Sequence, residues 1–265
     1  MHLDPATFAQ AKLWLVALVY ASTRLQVALA IIPLFASQLV PGMVRTAIGV
    51  SLSLVLVPPM HAVLGGVAPD AITMAAVVVK ESFIGLLIGY SVAVLFWAVE
   101  GVGFFIDNQR GATIASTLNP LTGNDTSPLG LLFNQAFIVY FLVAGGMPVF
   151  MSLVYQSFHL WPATSMLPSL PHEGTAVFAG LFNSLVRLAL LLSAPVIVAL
   201  LLAEMGLALV SRFAPQLQVF FLAMPIKSAL ALLVLAVYVP TLIDYLHDEI
   251  GRLPDLLGLL ARGLP

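Results

Sequence analysis

"ESFIGLLIGYSVAVLFWAVEGVGFFIDNQRG", residues 81–111, decides how the rest of this chain is read. From Ser82 to Val99 it holds no Asp, Glu, Lys or Arg, and a run of this kind approaches the roughly 20 residues that cross a ~30 Å hydrocarbon core. Wound as a helix at 100° per residue from Glu81, Gly85 falls at about 40°, Gly89 at about 80° and Glu100 at about 100°. Gly103 then falls at about 40°, Asp107 at about 80° and Arg110 at about 20°. The small and ionisable residues therefore share one face, while Phe83, Leu87, Tyr90, Val94, Trp97 and Phe105 occupy the others. Gly85 and Gly89 form a GxxxG pair, which lets two helix backbones approach closely. Two readings stay open. The face is either a seam inside the chain, with Asp107 and Arg110 as an i,i+3 ion pair, or a packing face of Glu81, Gly85, Gly89, Glu100 and Gly103 against other subunits or a watery conduit.

Working outward, the chain has 265 residues, of which 61% are hydrophobic and 8% charged; soluble domains carry about 25% charged residues. Leu25–Val44, Thr46–Pro69, Thr126–His172 and Leu188–Ala203 are also free of Asp, Glu, Lys and Arg. These runs predict an all-α, multi-pass membrane protein of about six long, partly kinked helices, at residues 6–38, 43–65, 70–110, 128–157, 174–211 and 217–250. A short amphipathic tail follows Pro254. Pro41-Gly42, Gly65-Gly66, Pro120 with Gly123 and the stretch Pro162–Pro171 mark the joints. No soluble domain interrupts them, so residues 1–265 read as one integral membrane domain. With six spans, Lys12, Arg252 and Arg262 face Arg45, Arg110 and Arg212 across the membrane, and the positive-inside rule decides nothing. The N-terminus lacks the basic region and cleavage site of a signal peptide, so the first apolar run is expected to stay in the mature protein.

A net charge of −2 argues against a nucleic-acid role, and zero cysteines exclude disulfides, thiolate metal sites and a cysteine nucleophile. The histidines form no HExxH, and no G-x-S-x-G occurs. Glu100 and Asp107 lie about 10 Å apart along one helix, too far to share a proton. The sequence predicts no enzyme, no catalytic residue, no metal and no cofactor.

Further ionisable residues interrupt apolar segments: Arg24, Arg187, Glu204 and Lys227. Each costs about 2.5–3.5 kcal/mol at a lipid-facing helix centre, so they are expected to be buried against protein or water, and an oligomer follows as the economical inference. Pro225, two residues before Lys227, predicts a kink whose freed carbonyl the lysine could satisfy.

"GFFIDNQRGATIASTLNPLTG", with the later "FFLAMPIKSALALL", resembles the SctT (YscT, SpaR, HrcT) proteins of type III secretion, related to flagellar FliR. The specific part is Asp107-Asn108-Gln109-Arg110-Gly111 with Asn119-Pro120, then Pro225 and Lys227. The resemblance implies a non-enzymatic subunit of the bacterial inner-membrane export gate. It implies SctR-like and SctS-like partners, SctU-like and SctV-like export proteins, and the base of the inner rod and needle. Unfolded polypeptides would pass through its portal. It also implies that residues 1–173 imitate the larger partner and 174–250 form a hairpin imitating the small one, and that the loop after Asp107–Gly111 helps close the channel. The small, weakly polar residues from Ala112 to Thr122 suit a lining that must not grip its cargo. The alternative function is a secondary transporter for a small solute, which predicts a repeated pair of interrupted helices; none is evident.

Overall fold

The computed structural model describes residues 5–66, 68–112, 127–165, 174–214 and 219–262. Its helices are α1 (Pro5–Ile31), α2 (Gly42–Ser53), α3 (Val57–Val63), α4 (Ala71–Arg110), α5 (Pro128–Val143), α6 (Gly146–Leu160), α7 (Gly174–Phe213) and α8 (Val219–Arg262). Short 3₁₀ turns occupy Pro33–Phe35 and Leu54–Leu56, and no strand occurs among the described residues. Five helical segments are long and apolar enough to cross a membrane, or six if α5 and α6 make one broken span. The chain is an all-α membrane protein.

Prolines and glycines set the breaks, in places differently from the sequence expectation. The first helix stops at Ile31 rather than 38, because Ile32 precedes Pro33 and is pushed to an extended conformation (ψ 126°). The second is interrupted by the 3₁₀ turn at Leu54–Leu56: Pro58 and Pro59 have no N–H to offer the carbonyls of Leu54 and Val55. The fourth is two helices, α5 and α6, broken where Gly145 adopts φ +82°, a conformation that glycine takes without steric penalty. The last does not end at 250 with a separate tail; α8 continues through Pro254 to Arg262.

The chain divides into two compact units. The first, Met1–Ala93, Gly145–Phe178 and Arg252–Pro265, holds α1–α3, the first part of α4, and α6. Its core joins Val16, Ala17, Tyr20 and Ala21 of α1 to Val57 and Met60 of α3 and Val77 of α4. Asp70 starts α4 as an N-cap, accepting from the Thr73 backbone N–H at 3.4 Å and from the Thr73 hydroxyl. The hydroxyl bond holds the Asp70 carboxyl below its usual range.

The second unit, Val94–Ala144 and Ala179–Gly251, holds the rest of α4, α5, and most of α7 and α8. Phe96 packs on Phe137 and Phe141, with ring centroids 4.8 and 5.1 Å away. The outward side chains of α7 and α8, among them Leu201, Leu202, Met205, Leu233 and Val237, stay exposed. Such a surface is made for lipid or protein rather than bulk water.

Candidate functional site

In the first unit, glycine spacing brings charge together. A Cβ on Gly85 would stand 2.3 Å from the Arg24 carbonyl oxygen, and one on Gly89 2.8 Å from that of Ala28. Only glycine permits α4 to lie this close to α1, and the contact sets Glu81, one turn earlier, beside the Arg24 side chain. Arg24 Nε donates to Glu81 Oε2 at 2.7 Å, one terminal nitrogen to Ser157 Oγ at 2.7 Å and the other to the Trp161 carbonyl at 2.8 Å. Its guanidinium also lies 3.7 Å from the centre of the Phe158 ring. Lys80 Nζ sits 2.9 Å from Glu81 Oε1 and donates to the carbonyls of Pro162 and Ser165 at 2.7 and 2.9 Å. The two cations thus serve the carbonyls at the end of α6, where the helix dipole favours positive charge. Arg24, Lys80 and Glu81 are all buried. Their desolvation is offset by the number and geometry of the bonds they make.

In the second unit the same helix builds another cluster. A Cβ on Gly103 would lie 2.4 Å from the Gly130 nitrogen and the Leu129 carbonyl carbon, so α4 touches the start of α5. One turn further on, Asp107 is buried. Its Oδ1 accepts from Arg110 at 2.7 Å, and its Oδ2 accepts from the Ser127 hydroxyl at 2.6 Å and the Leu129 N–H at 2.9 Å. Ser127 in turn caps α5, accepting from the Gly130 N–H at 2.9 Å, with Pro128 following it. A carboxylate at a helix N-terminus meets both free N–H groups and the positive end of the dipole. Gly111, at φ +82°, ends α4. Asp107 therefore fastens together the two described ends between which residues 113–126 run.

A third set of contacts fixes the other side of this helix end. Lys227 of α8 donates to the Gln109 carbonyl at 3.1 Å and pairs with Glu204 of α7 at 2.7 Å. The Gln109 side chain reaches Glu204 at 3.4 Å. The Gln109 carbonyl belongs to the last turn of α4, whose carbonyls have no intrahelical donor, and Lys227 supplies one. Gly101 lies against Ala189, where an added Cβ would be 3.2 Å from the Ala189 Cβ, and Gln109 meets Glu204. Residues 101–109 of α4 thus run beside the uncharged stretch Leu188–Ala203 of α7. Val99 of α4 shares an apolar cavity of about 300 Å3 with Val239, Leu242 and Ile243 of α8, while Gln109 meets Lys227. The polar end of α4 therefore meets Glu204 of α7 and Lys227 of α8, the ionisable residues of those two helices' apolar runs.

The structure corrects several expectations. Of the two readings left open for the face of Glu81, Gly85, Gly89 and Gly103, a seam inside the chain or packing against other subunits, these residues meet this chain's own α1 and α5. The close approach is made, but within the chain. Of that set only Glu100 is exposed, accepting from the Asn134 amide at 3.0 Å. Of the ionisable residues expected to be buried against protein or water, Arg24 and Lys227 are buried inside the chain. Arg187 is not buried at all, and the Glu204 side chain is 53% exposed despite its pairing. Lys227 serves Gln109, on another helix, rather than a carbonyl freed by Pro225. Pro225 lies inside α8 and is exposed. Asn119 and Pro120 lie outside the described residues. Among the described residues no group of acidic or histidine side chains is arranged to hold a metal ion.

Sequence reasoning also passes over Lys80, Ser127, Asn134 and Ser157. Ser127-Pro128 carries a legible signal, a capping residue followed by a proline at the first helical position. Lys80 offers only its adjacency to Glu81.

Comparison with known proteins adds a lineage to this geometry. A family described as bacterial export proteins, family 1, matches residues 15–253. The chain is 39% identical over 238 residues to the Yop proteins translocation protein T of Yersinia pestis, covering 89% of this chain and 91% of that protein. It is 33% identical over 235 residues to the secretion system apparatus protein SsaT of Salmonella typhimurium, covering 87% and 90%. The flagellar biosynthetic protein FliR of Bacillus subtilis is 31% identical over 159 residues, or 60% of this chain and 61% of that one.

Proposed function

Because this chain belongs to family 1 of the bacterial export proteins, we propose that it is a non-enzymatic subunit of a type III secretion export gate, helping to form and close the portal for unfolded polypeptides. It is a multi-pass protein of the bacterial inner membrane: its apolar helices supply the spans, and its relatives are named for translocation and secretion apparatus. SctR-like and SctS-like subunits are the proposed neighbours, with SctU-like and SctV-like proteins and the rod and needle base beyond them. Residues 1–173 take the larger partner's role in this proposal, and 174–250 the smaller one's.

The observation that carries the closure role is Asp107, whose bonds join both described ends of the segment 113–126. A carboxylate that accepts at once from Arg110, Ser127 and Leu129 makes a rigid lip. Rigidity at the lip, with weakly polar residues between, suits a barrier that opens for many cargoes without gripping any.

Deleting residues 113–123 in the native membrane tests this. The apparatus should still assemble while the membrane leaks small ions. An assembled apparatus with its ion barrier intact would remove the closure role, and a chain that purifies without other apparatus proteins would remove the export-gate role.

A further inference from the structure

We infer that Lys227 is the latch of the closure element: it ties α7 and α8 to the end of α4, and the barrier opens where Lys227 and the Gln109 carbonyl part. This rests on the closure reading and adds to it the contact that moves.

The last turn of α4 is held from two sides. Asp107 and Gln109 stand about 200° apart around the helix, so their side chains leave it on opposite faces. On one face Asp107, fully buried, accepts from Arg110, Ser127 and Leu129. On the other, Lys227 Nζ donates to the Gln109 carbonyl at 3.1 Å and to Glu204 Oε2 at 2.7 Å. The Gln109 amide lies 3.4 Å from that same carboxylate oxygen. Gln109 is thus gripped by backbone and by side chain at once.

The two sides differ in what release leaves behind. Parting Asp107 from its donors strands a buried carboxylate, and an unpaired buried charge is strongly unfavourable. Parting Lys227 from Gln109 strands no charge. The lysine keeps Glu204, and the pair lies on an open side, where the Glu204 side chain is half exposed. The carbonyl it leaves belongs to a last helical turn, of the kind that frays and re-bonds to water or in 3₁₀ fashion. A helix end bound firmly on one face and lightly on the other is released from the light one.

Position makes that light contact a transmitter. Lys227 and Glu204 bind each other across α7 and α8, toward the end of the first and the start of the second. One ammonium therefore joins three helices, and a shift of α7 or α8 acts directly on the turn that leads into residues 113–126.

The test uses the full chain in the assembled apparatus in native membranes. The chain has no cysteine, so introduced thiols are the only ones it carries. Gln109→Cys with Glu204→Cys leaves Lys227 in place. Bridging the two thiols with a short, reducible bis-thiosulfonate should stop secretion by this variant, and reduction should restore it, whereas a one-armed thiosulfonate should not stop it. Secretion as fast bridged as reduced would overturn the latch. Lys227→Met should raise ion leakage about tenfold in an assembled apparatus, the effect of taking ~1.4 kcal/mol from the closed state. Lys227→Arg, which still carries donors toward Gln109, should leak less than Lys227→Met. An assembled Lys227→Met apparatus as tight as the wild type contradicts the inference, and the bridged pair decides even where Lys227→Met does not assemble. Deleting residues 113–123 in the same membranes separates the two levels. A leaking deletion beside a tight Lys227→Met removes the latch alone, whereas a deletion that holds ions removes the closure reading beneath it.

Discussion

Helix α4 carries two buried carboxylates on one face, and they have been put to different uses. Glu81 sits in a closed set: every strong partner it has is buried, and the cations beside it reach on to the end of α6. Asp107 sits at the proposed lip, with its partners on the first turn of α5 and the last turn of α4, where the described helices give way to residues 113–126. Each carboxylate stands one turn from a glycine that lets another helix come close. The difference lies in what the bonds join. One set joins the middle of a helix to other helix bodies and fixes the fold; the other joins two helix ends on either side of residues 113–126.

The comparison is broken most easily at Glu81. Glu81→Leu leaves Arg24 and Lys80 buried with no counter-ion, and removing one partner of such a set costs about 3–5 kcal/mol. The purified variant should show a larger drop in Tm than Asp107→Leu or any of the substitutions that follow. A smaller loss than Asp107→Leu would erase the distinction. Gly85→Ala comes next. Its Cβ would press on the Arg24 backbone at 2.3 Å, with no flexible side chain to yield, and such overpacking costs about 1–3 kcal/mol. Thermal unfolding in detergent reads it directly.

Lys227→Met should cost less, about 1–2 kcal/mol, through the loss of the Gln109 cap. Much of the pair's electrostatics is already screened, because Glu204 is half exposed. Lys227→Arg should restore most of the stability, which would sharpen the view that a donor to Gln109 is what matters. Smallest is Gly206→Ala. Nothing lies within 4 Å of a Cβ there, so the variant should be neutral or gain up to ~1 kcal/mol from helix propensity. A marked loss in the assembled apparatus but not in the isolated chain would mean a neighbour packs on that glycine.

Much of this arrangement is legible in the amino-acid sequence. The uncharged runs mark the spans, and the angular positions of Glu81, Gly85, Gly103 and Asp107 mark one working face of α4. A GxxxG spacing reports that something comes close; it does not report whose helix, and here the helix is the chain's own. Arg24 and Arg187 look alike in sequence, each a lone cation in an apolar run. Only the crossing of α1 with α4 buries the first and supplies its carboxylate, while the second stays on an exposed side of α7. Lys80 escapes notice because it points off the glycine face, and its long stem carries the charge round to the α6 carbonyls. The break at Gly145 is hidden in a run that reads as continuous and apolar, since glycine permits a left-handed turn without requiring it.

The lip itself is best tested with Asp107→Ala, comparing ion leakage and apparatus assembly in the same native membranes. The expected result is an assembled apparatus that leaks ions, because the ends joined by Arg110, Ser127 and Leu129 come apart while the Glu81 cluster keeps the fold. A variant that assembles fully and holds ions as well as the wild type would contradict the assignment of Asp107 to the barrier.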